Sequence, residues 1–347
     1  MAAADPVRDG QTALALRLAN HLTAADADVA AKNVAFSPVS IHAGLALVAM
    51  GAGGAMRAQL LNFLGVPTAD GLAAFGRLVA DRVLANKAGS GGPHVLFGGG
   101  TRTVSFTDEP EEAVETINRW VKKATNNLID SMISRSDITA DTDLVLANAF
   151  HRLDGSHTMS ISCMDGFKVL KLPYGPDGEY ERGTPLGEDA TQFSMFVFLP
   201  DERDGMATMV DVITAAPGYL YSVLPTETKL VQIKLPKFEV SLDWDLGSDL
   251  RRLGLTLPFS RKVGDLRGMY KQDDGPPTFL TKIAHKAIIK VNEEGTEAAA
   301  VMTALRGGGP MPDHVEFIAE HPFTFIIMEE RSGVIVFAGH VLVPTCK

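Results

Sequence analysis

Apolar residues recur at helical spacing through the first half of this chain and gather into short, strand-length runs through the second. Leu14, Leu18 and Leu22 fall on one face of a helix predicted over 11–21. Ser37-Pro38 opens a second helix, with Ser37 as N-cap and Pro38 in the first turn, where its missing N–H costs nothing. That helix passes through Ile41, Leu45 and Val48 and ends at a Gly-rich cluster at 51–54. Further helices are expected over 56–64, 71–84 and 111–128, the last with Val114, Ile117, Val121 and Ala124 on one side. Strands are expected at 95–97, 143–150, 169–172, 193–199, 230–235, 281–291, 316–318, 323–328 and 333–338, with one late short helix at 249–253. Helices first and strands later imply an α+β fold rather than alternating βαβ units. No repeat and no linker divides the 347 residues, so a single domain over 1–347 is expected.

One segment does not fit a static element. From Val291 the chain reads Val-Asn-Glu-Glu-Gly-Thr-Glu-Ala-Ala-Ala-Val-Met-Thr-Ala-Leu, then Arg306-Gly307-Gly308-Gly309-Pro310. A strand presents alternate residues to one face, and Thr296, Ala298, Ala300, Met302 and Ala304 would share one. Small side chains there can enter a sheet without obstruction, and Gly295 supplies backbone freedom at a pivot. A segment that is exposed in one state and a strand in another needs this composition. The composition suits a helix over 296–306 equally well, since Ala, Met, Leu, Glu and Arg are good helix formers.

Several function classes are excluded or left without support. A net charge of −10 argues against nucleic-acid binding and provides no basic membrane-binding face. Two cysteines, Cys163 and Cys346, cannot build a disulfide framework and read as free thiols; no Cys/His cluster has zinc spacing. The longest apolar stretch, 41–50, is too short to span a bilayer and reads as a buried helix. The N-terminus has no basic region followed by an apolar one, so no secretory signal is evident and a cytoplasmic location is expected. Ser90 lies in a Gly-rich loop that begins with Ala and precedes a strand, unlike the tight strand-to-helix turn of a hydrolase nucleophile. Glu109, Glu111 and Glu112 suit the dipole at a helix N-terminus. No constellation supports an enzyme, and none calls for a cofactor or metal.

The segments Asn33-Val34-Ala35-Phe36-Ser37-Pro38-Val39-Ser40-Ile41, Asn126-Asn127-Leu128-Ile129, Leu144-Val145-Leu146-Ala147-Asn148-Ala149, Leu253-Gly254-Leu255 with Pro258-Phe259, and His321-Pro322-Phe323 with Ser332-Gly333 resemble the serpins. These are protease inhibitors that trap their targets by inserting a cleaved loop into their own β-sheet. Glu320 departs from the family's usual Asp or Asn. The hinge Glu293-Glu294-Gly295-Thr296-Glu297-Ala298-Ala299-Ala300, followed by Leu305-Arg306, is similar to that of plant-type serpins.

The resemblance implies helices around three β-sheets, with an exposed reactive-centre loop at about 293–317. It implies a monomer that acts on a trypsin-like serine protease or a papain-like cysteine protease. Arg306–Gly307 would be the reactive bond, a cation suiting a pocket with a carboxylate at its base. Ser37, Ser40, Asn148 and His285 match the family's shutter, a hydrogen-bond cluster beneath the centre of the large sheet. On the residues alone, Ser37 is a helix cap and His285 a core histidine. The family pattern also extends the compartments to the extracellular space. Against that pattern three stretches are short. Only ten positions separate Thr296 from Arg306, about three fewer than usual, which removes roughly 10 Å of strand reach. By upstream count the reactive position would be Gly309. The connection from Phe97 to Glu115 is too short for the expected strand, helix and strand, and 151–165 is polar where an aromatic segment and a hairpin are expected. The resemblance therefore implies a centrally shortened fold, with a non-inhibitory binding protein or degenerate paralogue as the alternative function.

Overall fold

The computed structural model describes residues 6–24, 32–83, 110–124, 131, 145–150, 159–174, 192–236, 238–269, 278–291 and 314–344. Within them the fold is α+β, with three β-sheets and helices packed against them. The helices are α1 (Pro6–Ala24), α2 (Pro38–Gly51), α3 (Gly54–Phe63), α4 (Ala69–Leu78), α5 (Pro110–Ala124), α6 (Met206–Thr214), α7 (Pro217–Val223) and α8 (Leu246–Arg252). A π-helical turn, Val79–Val83, extends α4. The strands are β1 (Val34–Phe36), β2 (Val145–Phe150), β3 (Ser160–Met164), β4 (Phe167–Tyr174), β5 (Phe193–Pro200), β6 (Val231–Lys234), β7 (Phe238–Asp245), β8 (Lys282–Val291), β9 (Val315–Ile318), β10 (Phe323–Glu329) and β11 (Val334–Val341).

The largest sheet is antiparallel throughout, in the order β1-β11-β10-β5-β4-β3. Every residue of β5, β10 and β11 is buried. These strands are mostly apolar on both faces rather than alternating because the sheet separates two cores. Phe196, Phe198, Ile326 and Met328 pack into one, which holds most of α1, α2 and α3. Met195, Val197, Leu199, Phe325 and Ile327 face the other, with Phe75, Phe238 and Phe317. At ~1.5–3 kcal/mol for each large apolar side chain removed from water, this double-faced sheet is the main source of stability. Its central hairpin closes on Glu329, whose carboxylate accepts from the backbone N–H of Ser332 at 2.7 Å and from its hydroxyl at 2.6 Å, while Gly333 takes a positive φ of 70°.

The second sheet has the order β2-β8-β7, and the third pairs β6 with β9 in parallel. The pair β2·β8 is parallel and β7·β8 antiparallel. Several of the expected elements have different bounds; the helix expected over 11–21, for instance, runs from Pro6 to Ala24. The helix expected over 71–84 is α-helical to Leu78 and then widens into the π turn. The short helix expected at 249–253 starts earlier, at Leu246, capped by Asp245 Oδ1 accepting from Gly247 N–H at 3.1 Å. β9 starts at Val315, one residue before the strand expected at 316–318, and so overlaps the end of the loop expected at about 293–317. The strand expected at 95–97 lies outside the described residues.

The close packing of β1 on β11 leaves no room for a side chain at Gly339. A Cβ there would sit 2.2 Å from the Val34 carbonyl oxygen and 2.7 Å from the Phe325 ring. Gly339→Ala is expected to destabilise the fold by about 1–3 kcal/mol, because backbone rather than a flexible side chain must yield. Gly218→Ala in α7, where a Cβ meets nothing within 4 Å, should not. Urea denaturation of both variants checks the contrast; equal midpoints would contradict the packing.

Candidate functional site

Ser37 stands between β1 and α2, at 0% exposure. Its extended backbone (φ −108°, ψ 99°) and hydroxyl make it the N-cap, as the sequence predicts: Oγ accepts from Ser40 N–H at 3.4 Å. The same hydroxyl donates to the Val336 carbonyl of β11 at 2.8 Å. The Ser37 carbonyl accepts the first helical bond from Ile41 N–H at 3.1 Å, and the Ser37 N–H donates to Nε2 of His285 in β8 at 3.1 Å. One buried serine thus uses its N–H, its C=O and both roles of its hydroxyl to join a helix and two sheets.

His285 is 1% exposed. Since Nε2 accepts, the ring is neutral and Nδ1 carries the proton. Nδ1 has no hydrogen-bond partner among the described residues. Burial holds this imidazole far below its ordinary 6.5, at about 3. In register, His285 lies opposite Asn148 of β2 and Trp244 of β7. Of the expected shutter residues, the structure joins the His285 ring to the Ser37 backbone N–H and the Ser37 hydroxyl to the Ser40 backbone N–H, and sets the backbone of Asn148 beside His285. Trp244 continues outward: its indole N–H donates to Asp249 Oδ2 at 2.8 Å, and Asp249 Oδ1 meets His21 Nε2 of α1 at 2.7 Å.

Neighbouring residues of β8 point to opposite faces of its sheet. His285 faces Ser37 and α2, whereas Lys286 reaches across the other face, donating to the Ser131 carbonyl at 3.1 Å and pairing with Asp243 at 3.3 Å. The sheet therefore lies between α2 and the segment that follows α5. β8 ends at Val291, and the hinge Glu293–Ala300 and the bond Arg306–Gly307 follow it outside the described residues. At the far side, Glu320 ion-pairs with Lys234 of β6, which holds its carboxyl below the usual range. Cys163 is a free, exposed thiol; Cys346 lies outside the described residues. No described helix is long and apolar enough to cross a membrane, and residues 41–50 lie in α2 with Leu47 exposed. Among the described residues no group of three or more His, Cys, Asp or Glu could hold a metal ion. The sequence reading passes over the Val336 carbonyl and Trp244. No sequence signal marks a backbone acceptor, but the alternation Phe238, Val240, Leu242, Trp244 marks β7.

The family model for serpins (serine protease inhibitors) matches residues 9–89, 94–156 and 153–344, and the chain belongs to this family. It is 37% identical to serpin-ZXA of Oryza sativa subsp. japonica, with 96% of each chain covered. Serpin-Z2B of Triticum aestivum is 35% identical, over 96% of this chain and 95% of that protein. The native stressed conformation of Arabidopsis AtSerpin1 superposes with a TM-score of 0.80 at 30% identity, covering 99% of this chain and 100% of that one. These likenesses make it a plant-type serpin sequence. The match to serpin-ZXA runs over 392 aligned positions against a chain of 347, so at least 45 positions of the alignment have no residue here. The family model itself breaks just before the short 97–115 connection and again, with an overlap at 153–156, inside the polar 151–165 stretch.

Three buried histidines give the fold a defined acid response. His42 is held at about 4 and His340 also below 6.5, each chiefly by desolvation, as at His285. The unfolded chain binds these protons near pH 6.5 and the folded chain does not. Their contribution is fully present above pH 6.5 and is lost as pH falls toward 4 and 3, at up to about 1.4 kcal/mol per pH unit for each group. Between pH 6.5 and 5, above the carboxylate range, stability is expected to fall steeply. His285→Gln should reduce that slope by about one proton's worth. Denaturation at half-unit pH steps measures it, and an unchanged slope would remove His285 from the account.

Proposed function

We propose that this chain is a protease inhibitor of the trapping kind, with Arg306–Gly307 as the bond offered to a trypsin-like serine protease or a papain-like cysteine protease. The observation that carries the reading is the parallel pair β2·β8. The hinge Glu293-Glu294-Gly295-Thr296-Glu297-Ala298-Ala299-Ala300 follows directly from the end of β8. A strand that turns back from β8 runs antiparallel to it, and so antiparallel to β2 as well. Entry between the two would turn one parallel pairing into two antiparallel ones, which are slightly more stable per residue. Thr296, Ala298 and Ala300 present small side chains to one face of that strand.

Ser37, Ser40, Asn148 and His285 serve in this reading as the shutter. Asn148 and His285 pair across the two strands that would part, and the Ser37–His285 bond ties β8 to the cap of α2, whose first turn holds Ser40. A monomer acting on a single protease molecule is sufficient for the mechanism. A second reading, cleavage without trapping, draws on the missing alignment positions and on a receiving sheet of three described strands.

Mixing the purified chain with trypsin and separating the products on a denaturing gel distinguishes the readings. Trapping gives a band of protease joined to inhibitor that survives denaturation, and protease activity is lost one for one. Arg306→Ala abolishes that band. Cleavage after Arg306 with full protease activity retained would establish the second reading instead. Insertion also predicts a large rise in melting temperature after cleavage, which an uninserted loop does not produce.

A further inference from the structure

We propose that Asp249 is a positioning residue for the opening of the sheet β2-β8-β7. Through His21 it clamps the β7–β8 half of that sheet to α1, so that β2 is the side that yields. The proposal rests on the trapping reading. β7 and α8 form one unit: Asp245 is both the last residue of β7 and the cap of α8, its Oδ1 accepting from Gly247 N–H at 3.1 Å. The Trp244 indole braces that corner, donating to Asp249 Oδ2 at 2.8 Å. α8 also packs on β8. β7 pairs with β8 along its whole length, from Phe238↔Val291 to Asp245↔Ala284. The three elements therefore move together.

Two directional ties lead from this unit to the helices. One is the Ser37–His285 bond at the cap of α2. The other joins Asp249 Oδ1 to His21 Nε2 of α1 at 2.7 Å, between residues 228 apart in the chain. Trp244 and His285 stand opposite each other in register, so both ties act at one level of the sheet. Apolar packing accompanies them, with the rings of Phe36 and Trp244 edge-on at 5.9 Å. Such packing is non-directional and tolerates sliding, whereas a hydrogen bond weakens steeply as its geometry is distorted. His21 and Asp249 are only 16% and 17% exposed, so their bond lies largely out of water, where it is stronger than at the surface. Arg252 lies 3.9 Å from the same oxygen but belongs to α8 itself and adds no tie to α1. Gln59 of α3 also holds the chain, at Thr256 and Leu257, but beyond the end of α8. With the His21–Asp249 bond broken, the β7–β8 half can also swing away from β2, and the gap that an incoming strand needs opens from both sides.

Hydrogen exchange of the intact chain tests the clamp, using H21A, D249A, the double variant H21A/D249A and the conservative D249N. H21A is the cleaner single change, because Asp249 also stands in the first turn of α8. In H21A and D249A, amides of 238–245 and 282–291 should exchange about tenfold faster, while those of 193–200 and 323–329 in the six-stranded sheet stay as in the wild type. The double variant should be no faster than the faster single one, since both break one bond. D249N keeps an acceptor for Trp244 and a donor for His21, and should stay near the wild type. Incubated below its melting temperature, uncleaved H21A should pass about tenfold faster than the wild type to a form of raised melting temperature that trypsin no longer cuts. A merely local loss of stability would not produce that form. Unchanged exchange in β7 and β8, equal acceleration of every strand, or additive effects in the double variant would each overturn the clamp. Conversion of H21A at the wild-type rate would overturn its part in sheet opening. A wild type whose melting temperature does not rise after cleavage overturns the trapping reading instead, and the exchange pattern then decides the clamp on its own.

Discussion

The four hydrogen bonds of Ser37 are the junction through which the three regions of the molecule hold their relative positions. They join β8 through His285, β11 through the Val336 carbonyl, and the first turn of α2 through Ser40 and Ile41. A buried polar group that loses its partners costs about 1–3 kcal/mol, so none of these bonds breaks alone without penalty. The junction also explains the state of His285. An acceptor nitrogen facing a backbone N–H cannot take a proton without losing that bond, and burial adds to the same effect. A neutral imidazole at this point is therefore a condition of the sheet's attachment to the helical layer, and acid acts on that attachment directly.

Much of this was legible before any coordinates, and the limits follow from the range of each interaction. The cap at Ser37-Pro38 is local chemistry, and the structure places α2 where those two residues predict it. His285 was singled out by family pattern, but its partner is a backbone N–H 248 residues away, which no sequence signal encodes. The double burial of β5 and β10 shows in the apolar runs Met195–Leu199 and Phe325–Met328, which do not alternate. β3 does not show, because Ser-Ile-Ser-Cys-Met has only Ile161 fully buried; its hairpin to β4 is signalled instead by Asp165-Gly166, where Gly166 takes φ 83°. The helix α6 hides in a β-branched stretch, Met-Ala-Thr-Met-Val-Asp-Val-Ile-Thr, whose propensity points to a strand. Its packing uses Met206, Met209, Val210 and Ile213, a helical spacing that tertiary burial enforces over propensity.

The two larger sheets differ in how much of their surroundings is described. The six-stranded sheet has every residue of its central strands buried, and only its edge strand β3 falls within the 151–165 stretch. The sheet β2-β8-β7 is the element that a trapping mechanism must open. That property traces to β2, which is parallel to β8.

In the proposed trapping reading, inserting a strand between β2 and β8 requires the two strands to part. β8 is tied to the cap of α2 through the Ser37–His285 bond, so β2 is the strand that must shift. α5 packs on β2 and must move with it or yield. One parallel pairing is lost and two antiparallel ones are gained, which favours the exchange. The footing of one six-residue strand therefore matters to that reading as much as the bait that follows β8.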